Sequence, residues 1–466
     1  MALINVGIGV SKKDNLVKAV TEAAKESRKE IEGKTPKLLM FFCTYNYPEE
    51  QYKEAQEAVY EVFGDKSVPL IGGTTLGFFA KDKYYFDVGL FGETIGKLSN
   101  TVGKVFKSLK FSGAVVVSLE SEFIQVGTGI GENAFKDPRL AGRQAIERAL
   151  DNLDYNPQVA YLAALKKGAK DITRIRPVNG FLITPGNCNE GKFYDSGIIE
   201  GVISVAKDSL KIQGGGLCGG TDKKSTLGGT AFYNGEIYKE TTIVTIFGSE
   251  LTIGFGVGSG SEPIDNIGLV TKIGEDEWTI KEINGEPAAD VIYKVVEKNT
   301  PLDKKNFYEV PALLGLEGYA LVSPETRGEL FWSNFPTKVL EDKSVKVMFP
   351  VKKGTMFALG KDTKESCGKA TVNATKLMIE DINTNNFGFV LFFSCAVRGM
   401  VMGRSYFKEI EEIKKTLGKE DVPVFGICSN GEQAFYKTGS PVGTAFTITM
   451  MGISNHFISE ERNENS

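Results

Sequence analysis

Three residues near the C-terminal end carry the side chains best suited to chemistry: Cys395, Arg398 and Glu432. A nearby cation lowers the pKa of a thiol by stabilising the thiolate. A guanidinium also grips a carboxylate through paired hydrogen bonds, which suits an amino-acid-like ligand. The same residues have a plainer reading, with Cys395 as a small buried hydrophobe and Arg398 paired structurally with Glu432 or Glu409. Conventional acid–base catalysis is poorly provided for, because the one histidine, His456, lies ten residues from the end. A Cys–His or Ser–His pair would have to recruit it from there. Zinc is likewise unsupported, since no C-x2-C pair occurs and histidine ligands are lacking. No metal or cofactor is expected. Carboxylate chemistry rests on Asp222, Glu409 and Glu432.

A second group of candidates lies in glycine-rich turns. Gly72, Gly73, Thr74 and Thr75 belong to "IGGTT", Gly215 and Gly216 to "GGGLCGGTD", and Asn430 and Gly431 to "GICSNGE". "GGTTLG" and "GICSNG" keep the two-glycine spacing of a phosphate-binding loop. Phe78 and Glu432 stand where that loop needs lysine, so nucleotide binding is not supported. Turn N–H groups can still cradle a carboxylate or another anion, and sharp turns without a ligand are the alternative. Asp222, which closes "GGTD", either caps the following turn or touches the ligand.

These candidates sit on a repeated frame. "VPLIGGTTLGFF" at 68–79, "LKIQGGGLCGGTD" at 210–222 and "VPVFGICSNGEQAF" at 422–435 share alternating apolar positions followed by glycines five apart. Period-2 alternation marks a strand, and glycine lets the chain turn where it ends. Upstream lie apolar runs at 36–44, 179–189 and 387–399, each ending near a cysteine and suited to strands buried on both faces. Helical spacing separates the first pair (Tyr52, Ala55, Val59, Val62, Phe63) and the third (Tyr406, Ile410, Ile413, Leu417). The second connection is shorter and less clearly helical. Strand, helix, strand implies a crossover with parallel strands, so the cysteine and glycine ends share one side of the sheet. The stretches 113–131 and 241–260 each read as two strands, and 268–298 as a strand pair and a helix from about Pro287. The expected fold is α/β: two related domains of mixed, largely buried sheets flanked by helices, built from repeated strand–helix–strand units. Their boundary is expected between about 248 and 265.

This ordered series of motifs resembles the FIST family, named for F-box and intracellular signal-transduction proteins. Residues of about 36–245 are similar to its N domain, through the early apolar strand, "IGGTT" and "GGGLCGGTD". Residues of about 250–450 are similar to its C domain, through "INGEPAADVIY", "FSCAVRG", Glu409 and "GICSNGE". The division implied is 1–250, 251–455 and a charged tail, 456–466, expected to be disordered. Gly73 stands where the family commonly has cysteine, so a thiol role does not transfer there. Asn430, after Ser429, stands where it often has threonine. The resemblance implies a sensory module that binds a small molecule such as an amino acid or a derivative, with a signalling protein as a further partner.

Composition agrees with a globular protein of 466 residues, 41% hydrophobic and 24% charged. Its 53 glycines exceed the usual share of about 7% and read as turns at strand ends. A net charge of −4 disfavours nucleic acid as a partner, and the basic stretch Lys166–Arg176 reads as a solvated face. No window has the roughly 18 apolar residues of a membrane span. Acidic residues among the first 30 argue against a signal peptide. Six widely spaced cysteines fit reduced thiols and a cytoplasmic setting.

Overall fold

The computed structural model describes residues 2–86, 112–154, 178–188, 191–207, 210–219, 228–323, 332–434 and 442–458. Asp222, the stretch Lys166–Arg176 and residues 459–466 of the tail lie outside the described residues.

The chain runs through one strand–helix pattern three times. The first unit comprises β1 (Asn5–Ser11), α1 (Leu16–Glu30), β2 (Leu38–Thr44), α2 (Tyr52–Phe63), β3 (Leu70–Thr75), β4 (Gly77–Ala80), β5 (Lys83–Phe86) and β6 (Ala114–Glu120). The second comprises β7 (Ile124–Gly131), α3 (Pro138–Asp151), β8 (Val178–Thr184), α4 (Asp195–Ala206), β9 (Leu210–Gly216), β10 (Ala231–Tyr233), β11 (Glu236–Tyr238) and β12 (Thr242–Ser249). The third opens with β13 (Leu251–Ser259) and is then interrupted. The interruption carries β14 (Glu262–Ile273), β15 (Thr279–Ile283), β16 (Glu286–Pro287), α5 (Ala288–Asn299), β17 (Tyr319–Ser323), β18 (Trp332–Asn334), β19 (Pro336–Val339), β20 (Val345–Val347) and β21 (Met356–Lys361). The unit resumes with α6 (Lys364–Ile382), β22 (Phe387–Cys395), α7 (Ala396–Met402), α8 (Glu409–Leu417), β23 (Val424–Ser429), β24 (Glu432–Ala434), β25 (Val442–Thr444) and β26 (Thr447–Phe457).

Each unit builds four strands of a six-stranded sheet and lends a hairpin to another. The orders are β1-β6-β2-β3-β10-β11, β7-β12-β8-β9-β24-β25 and β13-β26-β22-β23-β4-β5. The exchange is cyclic: the first unit's hairpin pairs with β23, the third's with β9 and the second's with β3. In every sheet one parallel pair sits among antiparallel neighbours, β2/β3, β8/β9 and β22/β23. The fold is thus the mixed α/β arrangement expected, with buried sheets flanked by helices. The junction between second and third units falls at residue 250, and two of the lent hairpins cross it.

The sheets turn their inner faces to a common core. The parallel-pair registers make Met40, Phe181 and Leu391 equivalent, and likewise Phe42, Ile183 and Phe393. All six are buried in one cluster, and burying such a side chain contributes roughly 1.5–3 kcal/mol. Outer faces are covered by helices: α1 and α2, α3 and α4, or α6 to α8. The second connection, hard to read as a helix, is α4; Gly197 and Gly201 obscure its period.

The glycines require a correction. Several lie inside the first strand of each unit rather than in turns. A Cβ on Gly9, Gly131 or Gly256 would come within 1.8 to 1.9 Å of a carbonyl oxygen of the covering helix, at Ala23, Ala141 and Ala374. Glycine there lets each helix lie directly on its strand, a close approach no other residue permits.

The interruption, residues 262–361, forms its own sheet, with a separate core around Val270, Ile292, Phe307 and Phe357. It leaves and rejoins the body side by side, since Glu262 pairs with Lys361 in the β14/β21 ladder. Asp362 fastens this junction: it accepts from Ser261 Oγ (2.6 Å) and from Cys367 Sγ (3.7 Å), while Ser333 Oγ donates to Ser261 (3.0 Å).

Candidate functional site

The C-terminal ends of β3, β9 and β23 meet in a ring of hydrogen bonds that contains most of the glycine-turn candidates. Thr74 N–H donates to Thr230 O (2.9 Å), its hydroxyl to Cys218 O (2.7 Å), and Cys218 N–H returns to Thr74 O (3.0 Å). Gly216 N–H donates to Gly431 O (2.8 Å) and Asn430 N–H to Gly216 O (2.9 Å). Thr75 Oγ1 closes the circuit on Cys428 O (2.8 Å). Gly72 and Gly73 admit the neighbouring backbone, for a Cβ would meet Phe41 O at 1.7 Å or Thr230 O at 2.5 Å. Gly215 is packed under Phe393 and Ser429. The N–H groups of Thr74, Gly216 and Asn430 are therefore each bonded to a neighbouring unit.

At the rim, two carboxamides from different units meet. Asn430 Nδ2 donates to Asn187 Oδ1 (2.5 Å), and both residues are half-buried. Each stands beside a glycine with positive φ, Gly186 (80°) and Gly431 (85°), the turn geometry that glycine supplies. Phe193, Phe349 and Phe446 seat the inserted sheet against this end of the body, and Trp332 Nε1 donates to Gly443 O (2.7 Å).

Inside the rim the polar candidates separate into two groups. Glu432 is completely buried and accepts from Ser429 Oγ (2.7 Å) and Thr447 Oγ1 (3.0 Å). Burial pushes its carboxyl up to about 8, against the pull of Ser429, Thr447 and the thiol of Cys395. Burial, and then Glu432, push the Cys395 thiol well above its ordinary value. This is the reverse of an activated thiolate.

Arg398 belongs to the other group. Its Nη2 donates to Glu409 Oε1 (2.7 Å), Thr371 Oγ1 (2.9 Å) and Cys367 O (3.0 Å), and its Nε to Ser394 Oγ (3.3 Å). Both members of the ion pair are fully buried. Burial works against the guanidinium charge, yet Glu409, Cys367 and Tyr406 together outweigh it and raise the pKa above its ordinary value. Arg398 makes none of these bonds to Cys395 or Glu432, so the three residues do not form one group. His456 stands at the opposite end of β26 from the ring, about 25 Å along the strand from the Ile448 position that pairs with Ser394.

Sequence reasoning missed a third buried carboxyl. Asp195, in the first turn of α4, accepts from Thr184 Oγ1 (2.8 Å) and from Gln433 Nε2. Burial raises it to about 6, opposed by those two bonds. Asp195 Oδ2 and Gln433 Oε1 are buried without a partner among the described residues. Asp362, the residue fastening the insertion, is pushed to about 7 by burial despite Ser261 and Arg398. An aspartate at a helix start and another just before a Thr cap were the only signals available, and both read as surface residues. Among the described residues no cluster of histidine, cysteine and carboxylates could hold a metal ion, and no helix is long and apolar enough to cross a membrane.

Fold and site define a mixed α/β protein in which three units bring their strand ends to one polar ring beneath an inserted sheet. The chain belongs to the FIST family: the FIST N domain matches residues 37–286 and the FIST C domain residues 288–435. FIST domains are sensory domains of signal transduction. No curated protein matches the chain. Among solved structures, cyanuric acid hydrolase from A. caulinodans aligns over 53% of this chain and 71% of its own, with 8% identity and a TM-score of 0.23. A second cyanuric acid hydrolase structure, described as an innovation by structural concatenation, aligns over 97% and 100%, with 11% identity and a TM-score of 0.26. Neither likeness bears on this chain's chemistry.

Proposed function

We propose that this protein is a cytoplasmic sensor that binds a small, polar, amino-acid-like molecule at the strand-end ring and passes the signal to a protein partner. The reading divides the chain into an N-terminal part, 1–250, a C-terminal part, 251–455, and a tail. The meeting of Asn187 and Asn430 at the rim carries it. A carboxamide both donates and accepts, so the pair can satisfy an ammonium, a carboxylate or an amide. Arg398 does not enter this reading as a ligand contact, because Glu409, Thr371 and Cys367 already occupy its inner nitrogen. The thiol alternative at Cys395 draws no support from a sulfur held protonated by burial.

A panel of amino acids and their derivatives, read by thermal shift, tests the proposal. A ligand at 100 times its Kd stabilises by about 2.7 kcal/mol. At least one member should raise Tm for the unaltered chain and fail to do so for N187A/N430A, whose own Tm stays near the parent value. A panel without effect, or a shift that survives in the double variant, refutes it.

A further inference from the structure

The ring leaves unused a large groove on the outside of the second sheet, and the geometry points to it as a docking site for an acidic segment of a partner protein. This inference concerns a surface apart from the ring and does not rest on the ligand proposed there.

The groove has a volume of about 1320 Å³ and runs between α3, α4 and the edge of the inserted sheet. Ligand pockets for small molecules hold about 300–1,000 Å³, so its size suits a peptide. Its floor is a tight helix crossing. A Cβ on Gly201 would meet Arg139 O at 2.1 Å, and one on Gly197 would meet Pro138 at 2.7 Å. One wall is aromatic, with the Tyr194 and Trp278 rings 5.2 Å apart. Leu140, an exposed apolar residue of α3, lines the same groove.

Charge selects the occupant. Lys136, Arg139, Arg143, Lys207 and Lys352 line the groove, against Asp137, Glu200 and Glu277. Arg139 is taken by Glu200 (2.5 Å), Arg143 lies near Glu147 (3.8 Å), and Asp137 caps α3 by accepting from Leu140 N–H. Lys136, Lys207 and Lys352 form no ion pair among the described residues. With five cations against three carboxylates, the lining keeps an excess of two positive charges on a chain whose net charge is −4, which is complementary to acidic side chains flanking an apolar anchor. The anchor would lie between Leu140 and Trp278.

Fluorescence anisotropy with the whole chain tests this. The probe is a fluorescein-labelled peptide of glutamates flanking one Leu-Phe pair, with a lysine version as its counterpart. The acidic peptide should bind, and the lysine peptide should not. K136E/K207E/K352E should weaken binding by about tenfold or more, and L140D by a smaller factor. Reversal of three exposed lysines on α1, K18E/K25E/K29E, should leave it unchanged. The inference falls if the acidic peptide does not bind, if the groove triple variant binds it normally, or if the α1 variant weakens it equally. Indifference to L140D also overturns it, since that outcome is ion exchange without a seated anchor. Circular dichroism confirms folding of each variant, and Lys→Gln replacements repeat the reading if a charge reversal unfolds the chain.

Discussion

Two of the lent hairpins occupy the same topological place and differ completely in chemistry. In the seam between first and third units, Phe78 and Phe79 lie opposite Ile427 and Gly426. In the seam between third and second units, Glu432 and Gln433 lie opposite Gly215 and Gly214. The first seam is packed with rings: Phe79 stands 5.0 Å from both Phe392 and Tyr406 and 4.3 Å from Tyr84. The second gathers Glu432, Gln433, Asp195, Thr184 and Thr447, all buried. The exchange of hairpins is therefore an architectural constant, and its side chains are free to vary. One seam holds the molecule shut. The other places two buried carboxyls, Glu432 and Asp195, with raised pKa values next to the rim.

Cutting the chain at residue 250 attacks what the seams share and should have the largest effect. Neither part alone should unfold cooperatively, because β4–β5 would lack β23, and β24–β25 would lack β9. Co-expression should restore one cooperative transition in urea. A separately folded fragment 1–250 would show that the exchange is dispensable.

Phe79→Ala tests the apolar seam alone. The residue is fully buried, and such truncations cost about 3–5 kcal/mol. The urea midpoint should fall accordingly, with the slope unchanged. A loss below about 1 kcal/mol would mean that the seam relaxes around the cavity.

Glu432→Gln tests the polar seam and should have the smallest effect at neutral pH, where the buried carboxyl is already protonated. Its folded pKa of about 8 lies above the ordinary 4.5, so the folded state binds the extra proton throughout that interval. Stability is then greatest below pH 4.5, falls as pH rises towards 8, and levels off beyond. Asp195 and Asp362, raised to about 6 and about 7, act in the same direction and remain in the variant. The decline between pH 5 and 8 should be shallower in Glu432→Gln than in the parent, read from urea midpoints. Equal slopes would mean that Glu432 is charged in its seam.

The repeated strand pairs were legible in the sequence because their signal is local: alternating apolar residues ending at paired glycines. Parallel pairing followed from the intervening helices. The destination of each hairpin was not legible. "GFFA" and "GEQA" are both short strands after a turn, and nothing in either says which sheet receives it. The pairing of Arg398 with Glu409 was one of two partners open from sequence, and burial decides it. Glu432 takes hydroxyl and thiol donors instead. The convergence of Cys395, Arg398 and Glu432 was misread because residues three apart across a strand-to-helix junction, Cys395 and Arg398, leave on different sides of the sheet. Asp195 was invisible for the opposite reason: a helix-start aspartate is ordinarily solvated, and only tertiary packing buries this one.

The junction held by Asp362 has an evolutionary corollary. Since β14 and β21 depart as paired neighbours, one covalent doorway joins the inserted sheet to the three-sheet body, and Phe193, Phe349, Phe446 and Trp332 pack the two together beyond it. A change in the insertion therefore reaches the body through that packed contact, so lid and vessel must vary together.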